Sequence, residues 1–183
     1  KVVLGRGEGR TLMGDVAQME RMVDEFLAFV RGDTTEEPQD ADPQALAAAV
    51  IANAQRAGHN VKLAEGEPGK LVRLRPQAIT RALENLVGNA VRHGTLAEIA
   101  VLRSDRTLRF VVEDDGPGIR ADRREEALRP FTRLEAERDP NRGGGVGLGL
   151  TIAADVARSH GGQLRLLTSE RLGGLRAELQ IAR

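Results

Sequence analysis

Phe110-Val111-Val112-Glu113-Asp114-Asp115-Gly116-Pro117-Gly118-Ile119 runs from apolar, β-branched residues into three acids and then into a glycine turn. How this stretch is read decides the fold. Gly116-x-Gly118-x-x-Ala121 has the spacing of a dinucleotide-binding turn, which would make the chain a doubly wound α/β protein. That turn must open an amphipathic helix in a βαβ unit. Asp122-Arg123-Arg124-Glu125-Glu126 offers no apolar stripe, and the preceding strand does not begin such a unit. The Rossmann reading is therefore rejected. Two readings stay open at this point. The stretch is either a plain Asp-Gly turn, or a strand end that holds Asp114 where it accepts a hydrogen bond from an exocyclic amine such as that of adenine, with Gly116 and Gly118 permitting close approach.

Working outward, the strand over Leu108–Val112 forms a hairpin with Ile99–Leu102 across Ser104-Asp105-Arg106. Upstream, Pro76 opens a helix that runs to about His93 and stops at Gly94. Its residues Ile79, Leu83, Leu86, Val87 and Ala90 make one apolar face. Pro43 opens an earlier helix with a Leu46, Val50, Ile51, Ala54 stripe that ends at Gly58. Val61–Leu63 and Leu71–Leu74 are short strands around a glycine-rich turn. A third helix follows the glycine run and ends at Gly161-Gly162. Leu164–Leu167 and the alternating Leu175–Ile181 supply the last strands. This order predicts an α+β fold: a two-layer sandwich of a mixed β-sheet and three helices on one face.

The N-terminal part reads differently. Leu12, Val16, Met19, Val23, Phe26 and Val30 recur at four- and three-residue steps, a heptad seam that predicts a long coiled-coil-like helix over residues 1–32. Asp33 to Pro43 is acidic, with two prolines and no large apolar residue, and reads as a linker. The expected division is 1–32, linker 33–43, and a globular unit over 44–183.

Composition narrows the function classes. The chain has 183 residues, 27 basic against 27 acidic side chains, four phenylalanines, no tryptophan or tyrosine and no cysteine. Balanced charge and scarce aromatics argue against a nucleic-acid footprint. Disulfides and thiolate metal sites are excluded. No apolar run reaches membrane-spanning length, and Lys1–Gly5 is too short for a signal peptide, so the expectation is a soluble polypeptide.

Two further stretches carry chemistry. On the second helix Asn85, Asn89 and Arg92 share a side, with His93 adjacent. Carboxamide oxygens suit Mg²⁺ and a guanidinium suits phosphate, although the same residues would also make a solvated polar face. Gly143-Gly144-Gly145-Val146-Gly147-Leu148-Gly149-Leu150 precedes the third helix. Side-chain-free backbone before a helix start favours phosphate, and a loose surface loop has the same composition. It is no Walker loop, because no Lys-Ser or Lys-Thr follows. Arg133, Arg138 and Arg142 lie in the stretch from Arg120 to Arg142, whose weak periodicity reads as a mobile lid.

Taken together, Asn85-x-x-x-Asn89-Ala-x-Arg-His93, Asp114-x-Gly116-x-Gly118, Pro130-Phe131 and Gly145-x-Gly147-Leu-Gly149-Leu150 resemble the N box, first glycine box, F box and second glycine box of the ATP-binding domain of bacterial sensor histidine kinases, of the osmosensor type. That domain is part of a wider superfamily with gyrase, chaperone and mismatch-repair ATPases. The resemblance covers about Pro43 to Arg183. Met19–Leu27 is similar to the second helix of the same kinases' dimerisation domain.

The resemblance implies ATP and Mg²⁺ as cofactors. Asn89 would hold the metal with help from Asn85, while Arg92, His93 and Arg133 would lie near the phosphates. Asp114 would accept from the adenine amino group in a pocket shaped by Gly116, Gly118 and Ile119. Phe131 would position the lid, and Gly145, Val146, Gly147, Leu148, Gly149 and Leu150 would close it over the triphosphate. It further implies a homodimer through Leu12–Val30, a response regulator as phosphate recipient, no nucleic-acid partner, and the cytoplasmic portion of an inner-membrane protein anchored through segments outside these residues.

Two departures stand out. The last glycine box, usually Gly-Thr, is Gly173-Gly174-Leu175. None of His59, His93 and His160 sits in the acceptor-histidine setting, so the acceptor is expected on a dimerisation helix absent from this chain. Related ATPases also place a water-activating glutamate where this chain has Asn85. Glu84 is one residue off, about 100° round the helix.

Overall fold

A computed structural model describes residues 36–66, 69–132 and 147–182. The expected Leu12–Val30 helix, and the lid arginines Arg133, Arg138 and Arg142 with Gly143–Val146, lie outside these residues.

The element order is β1 (Gln39–Ala41), α1 (Pro43–Arg56), β2 (Val61–Glu65), β3 (Val72–Leu74), α2 (Pro76–His93), β4 (Ala97–Arg103), β5 (Thr107–Asp114), α3 (Arg124–Ala127), α4 (Gly149–Ser159), β6 (Gln163–Thr168) and β7 (Leu175–Ala182). Five strands form one mixed sheet in the order β2-β4-β5-β7-β6. β2 runs parallel to β4, and the other pairs are antiparallel, with Ile99 opposite Val112 and Phe110 opposite Leu179. The parallel pair is joined through β3 and α2, as a crossover requires.

Period-two alternation sends Ile99, Val101, Leu108, Phe110, Val112, Leu164, Leu166, Ala177, Leu179 and Ile181 to one side, where all are buried. α1 packs on β2 and β4, α2 on β4, β5 and α4, and α4 on β6 and β7. α2 buries Ile79, Leu83, Leu86, Val87 and Ala90, the face its periodicity predicts. The α+β sandwich with three longer helices is therefore as expected, and α3 adds a single turn.

Three local expectations are corrected. Val61–Leu63 and Leu71–Leu74 do not pair with each other across their turn. β2 joins β4, and β3 pairs antiparallel with β1. The acidic stretch read as a linker supplies that partner strand, because backbone pairing needs no apolar side chain when Val72 and Leu74 opposite provide the burial. Its acids also do structural work. Glu36 accepts from Gln77 and Ala78 backbone N–H at 2.9 and 3.0 Å, capping α2 where Arg75 makes no side-chain cap. Asp42 Oδ1 caps α1 through Gln44 N–H at 2.9 Å, and its Oδ2 takes Gly69 N–H at 2.9 Å. Finally, the start of the presumed lid is folded onto the domain. Arg124 donates to Ile119 O at 3.1 Å and to Thr168 Oγ1 at 2.8 Å, which ties α3 to β6.

The opposite face of the sheet carries charges in register. Glu113 and Glu178 are 8% and 4% exposed there, and Arg176 donates to both at 3.3 and 2.8 Å. Arg171 bridges Glu98 and Glu113. Val111, opposite Glu178 on this face, is 2% exposed. No helix among the described residues is long and apolar enough to cross a membrane.

Candidate nucleotide site

β5 ends by carrying Asp114 inward: the residue is 3% exposed. Its Oδ1 accepts from Gly116 N–H at 2.9 Å and from Leu175 N–H at 3.1 Å, and its backbone carbonyl accepts from Gly174 N–H at 3.1 Å. Burial pushes the carboxyl above the usual aspartate range. The two N–H donors and the nearby charge of His93 oppose that shift, and Asp115 adds to it. Among the described residues Oδ2 takes part in none of these bonds, so the backbone fixes one oxygen of the carboxyl and not the other.

Glycines let the backbone close tightly round this carboxylate. A Cβ on Gly174 would fall 2.3 Å from Asp114 Oδ1, and one on Gly116 would fall 2.9 Å from His93 O. Gly118 has φ +69° and lies against Gly174. Every one of these contacts requires bare backbone.

Asp115 points to other work. It is exposed, and accepts from Thr95 Oγ1, Thr95 N–H and Leu96 N–H at 2.5, 2.6 and 2.9 Å, which fixes the turn between α2 and β4. The Thr95 hydroxyl foremost, then those amides, hold its carboxyl down from 3.8 to about 2. A depressed carboxylate stabilises the fold above its unfolded pKa and loses that contribution as pH falls through the folded value. Asp115→Asn should therefore flatten the fall of Tm expected of the parent between pH 4 and 2. Superimposable Tm profiles for the two proteins over that range would rule this role out.

The second half of the site is a cavity of about 280 Å³ lined by Glu84, Asn85, Gly88, Asn89 and Arg92 of α2, by Ala127 and Thr132, and by Gly147, Gly149 and Leu150. Asn85, Asn89, Arg92, Gly147, Gly149 and Leu150 were expected there and are brought together. Asn85 has a structural share as well. Its Nδ2 donates to Arg81 O at 2.9 Å, and its Oδ1 lies 3.1 Å from where a Cβ on Gly149 would stand, so it seats the start of α4 on α2. Among the described residues no three His, Cys, Asp or Glu side chains are grouped to hold a metal. A cation in this cavity would rely on carboxamide oxygens and on its ligand's own oxygens.

Phe131 is 57% exposed at φ +61°, in the left-handed region, and its N–H donates to Gly147 O at 3.1 Å. Gly147, at φ +79°, would put a Cβ 2.7 Å from Thr132 O. The two stems flanking residues 133–146 are thus joined backbone to backbone. Leu148 is fully buried beneath α4, and Thr151 Oγ1 donates to Leu128 O at 3.2 Å. His93, Asp114, Gly116, Gly118, Ile119, Phe131 and Leu148 do not line the cavity; Ile119 packs on the core.

Sequence reasoning missed Gly88, Ala127 and Thr132, and set Glu84 aside for its position on the helix although it lines the same cavity. It also missed Glu113 and Ser169 beside Asp114, whose hydrogen bond joins residues 56 apart, while Gly174, noted as part of the last glycine box, donates to the Asp114 carbonyl. His160 caps the C-terminus of α4, and its Nε2 also accepts from Arg75 N–H at 3.2 Å.

A profile of the histidine kinase-, DNA gyrase B-, and HSP90-like ATPase family matches residues 74–182. Sensor protein RstB of Escherichia coli (strain K12) is 34% identical over 180 residues, 94% of this chain and 41% of that protein. The solved histidine kinase domain of the E. coli osmosensor EnvZ is 34% identical with a TM-score of 0.61, covering 81% of this chain and 91% of that one. The ATP-binding domain of PrrB from Mycobacterium tuberculosis shares the fold at 24% identity and a TM-score of 0.66, covering 80% of this chain and 98% of that one. The chain spans less than half the length of RstB.

Proposed function

This chain belongs to the histidine kinase-, DNA gyrase B-, and HSP90-like ATPase family, and from that premise we propose that it is the ATP-binding module of a sensor histidine kinase. It donates the γ-phosphoryl of ATP to a histidine on a dimerisation helix, for relay to an aspartate of a response regulator. The observation that carries this reading is Asp114. Two backbone N–H groups hold one carboxylate oxygen, which would leave the other to accept from the adenine amino group, and Gly116 and Gly174 let the backbone close tightly round that carboxylate. The same glycine turn touches the end of α2, whose Asn89 and Arg92 line the neighbouring cavity.

The residues fit the group. Asn89, with Asn85, would hold Mg²⁺, which supplies neutralisation of phosphate charge when bound. Arg92 and Arg133 would lie near the phosphates, with His93 at the end of α2 against Gly116 and outside the cavity. Gly147 and Gly149, with Gly145, Val146, Leu148 and Leu150, would form the hinge of a lid, with Phe131 at its other stem. Such a reaction asks the protein to position the γ-phosphoryl in line with an imidazole nitrogen, not to provide a nucleophile of its own. The partners are a second copy through Leu12–Val30 and a response regulator. The setting is the cytoplasmic portion of a membrane-anchored sensor.

One observation favours a second reading, ATP hydrolysis as a conformational switch: Glu84 lines the cavity beside Asn85 and Asn89. A single assay separates the two. The chain is incubated with γ-labelled ATP and Mg²⁺, with and without a dimerisation helix bearing its histidine. The kinase reading expects label on histidine only with that helix, and its loss in Asn89→Ala. Steady phosphate release by the chain alone, abolished in Glu84→Gln, would replace it with the hydrolase.

A further inference from the structure

The turn between β6 and β7 is closed by one buried hydroxyl. Ser169 is 1% exposed; its Oγ donates to Glu113 Oε1 at 2.9 Å and accepts from Leu172 N–H at 3.0 Å. Its backbone N–H donates to Gly174 O at 2.9 Å, and its carbonyl accepts from Gly173 N–H at 2.8 Å. Glu113 is itself held by Arg176 at 3.3 Å and Arg171 at 3.4 Å. The turn is thus clamped to the strand that ends at Asp114. Its far end delivers Gly174 N–H to the Asp114 carbonyl and Leu175 N–H to Asp114 Oδ1.

The consequence is geometric. Two N–H groups select which oxygen of Asp114 is engaged, Gly116 from its own turn and Leu175 from across the sheet, and the second depends on the β6–β7 turn staying where it is. A hydroxyl bonded to a residue 56 positions away in the chain therefore helps fix the orientation of the group that reads the base. The Gly174-Leu175 sequence has no side-chain hydroxyl at that end of the turn, and the anchoring falls to Ser169 at the other end.

We propose that Ser169, clamped to Glu113, is the positioning residue that sets base discrimination at Asp114. The proposal rests on the reading of Asp114 as the adenine acceptor. Adenine presents an amino donor at the position where guanine presents a carbonyl, so a fixed acceptor oxygen admits ATP and rejects GTP. Without the clamp, the Gly174–Leu175 amides drift, the carboxylate turns, and the rejection weakens.

The test measures dissociation constants of Mg²⁺-bound ATP, GTP and tripolyphosphate for the parent, Ser169→Ala and Ser169→Cys. The cysteine fills the serine's space with a weaker hydrogen-bonding group, so packing is kept. The expected result is ATP preferred over GTP by the parent. Ser169→Ala should lose about tenfold in ATP affinity and in the ATP:GTP ratio, with Ser169→Cys intermediate. Tripolyphosphate, having no base, should bind all three within about twofold. An unchanged ATP:GTP ratio in both variants overturns the proposal. So does an equal loss of ATP and tripolyphosphate in both variants, which marks a merely structural serine. A parent that binds ATP and GTP equally fails earlier, at the assignment of Asp114, and takes the proposal with it.

Discussion

Asp114→Asn is expected to lower ATP affinity by about 3 kcal/mol, on the order of a hundredfold, while the protein stays folded. The substitution keeps the size and shape of a residue that is 3% exposed. The amide oxygen can take over the bonds from Gly116 and Leu175 N–H at 2.9 and 3.1 Å. The NH₂ group then stands in place of Oδ2, and a donor meets the adenine amino donor. Two unmatched donors in a partly desolvated site cost more than the loss of one bond.

Stability should move the other way. Burial holds the Asp114 carboxyl above its usual range, so ionisation costs the folded state free energy as pH rises through the carboxylate range. Removing the charge removes that cost, and Tm at pH 7 should be equal or higher. GTP should gain on ATP, because guanine offers an acceptor to the new NH₂. Isothermal titration with both nucleotides, alongside thermal melts, checks all three statements. Retention of ATP affinity within threefold would show that another group reads the base.

What could be read in the chain beforehand was what local periodicity encodes. α2 repeats its apolar residues at helical spacing, so its buried face was plain, and β7 alternates at period two. The same helical spacing puts Asn85, Asn89 and Arg92 on one side of α2, and they line one cavity. Non-local pairing was not legible. Gln39–Ala41 has neither alternation nor β-branched residues, and becomes a strand only because Val72–Leu74 lies beside it. Glu36 looked like one more acid in a linker and instead caps a helix forty residues on. Arg109, Arg176 and Glu178 alternate with apolar residues along β5 and β7. Their mutual ion pairs, visible only once β5 and β7 are in register, draw Glu178 out of water. Ser169 and Glu113 illustrate the same limit inside the site: 56 residues separate two side chains joined by one hydrogen bond.

Gly174→Ala and Gly173→Ala, neighbours in one turn, should differ sharply. Gly173 has φ +89° and open space around a Cβ, so alanine there costs only backbone strain of about 1 kcal/mol, a Tm loss of a few degrees for a chain this size. Gly174 has no such room. Its Cβ would lie 2.3 Å from Asp114 Oδ1, 2.4 Å from Asp114 O and 2.6 Å from Gly116 N. Two of these atoms are backbone and cannot swing aside, so the turn must lift. Lifting it breaks the bonds from Gly174 N–H to Asp114 O and from Leu175 N–H to Asp114 Oδ1, both in buried surroundings. Strain and lost bonds together amount to about 3–5 kcal/mol, a Tm loss of roughly 10 °C. The function should follow the geometry. At a temperature where both variants are folded, Gly173→Ala should bind ATP like the parent, while Gly174→Ala should lose ATP more than tripolyphosphate, because it disturbs the base acceptor and not the cavity lined by Asn89 and Arg92. Matching melts and matching ATP affinities for the two variants would mean that the turn does not press on Asp114, and the positioning role of Ser169 would lose its physical basis.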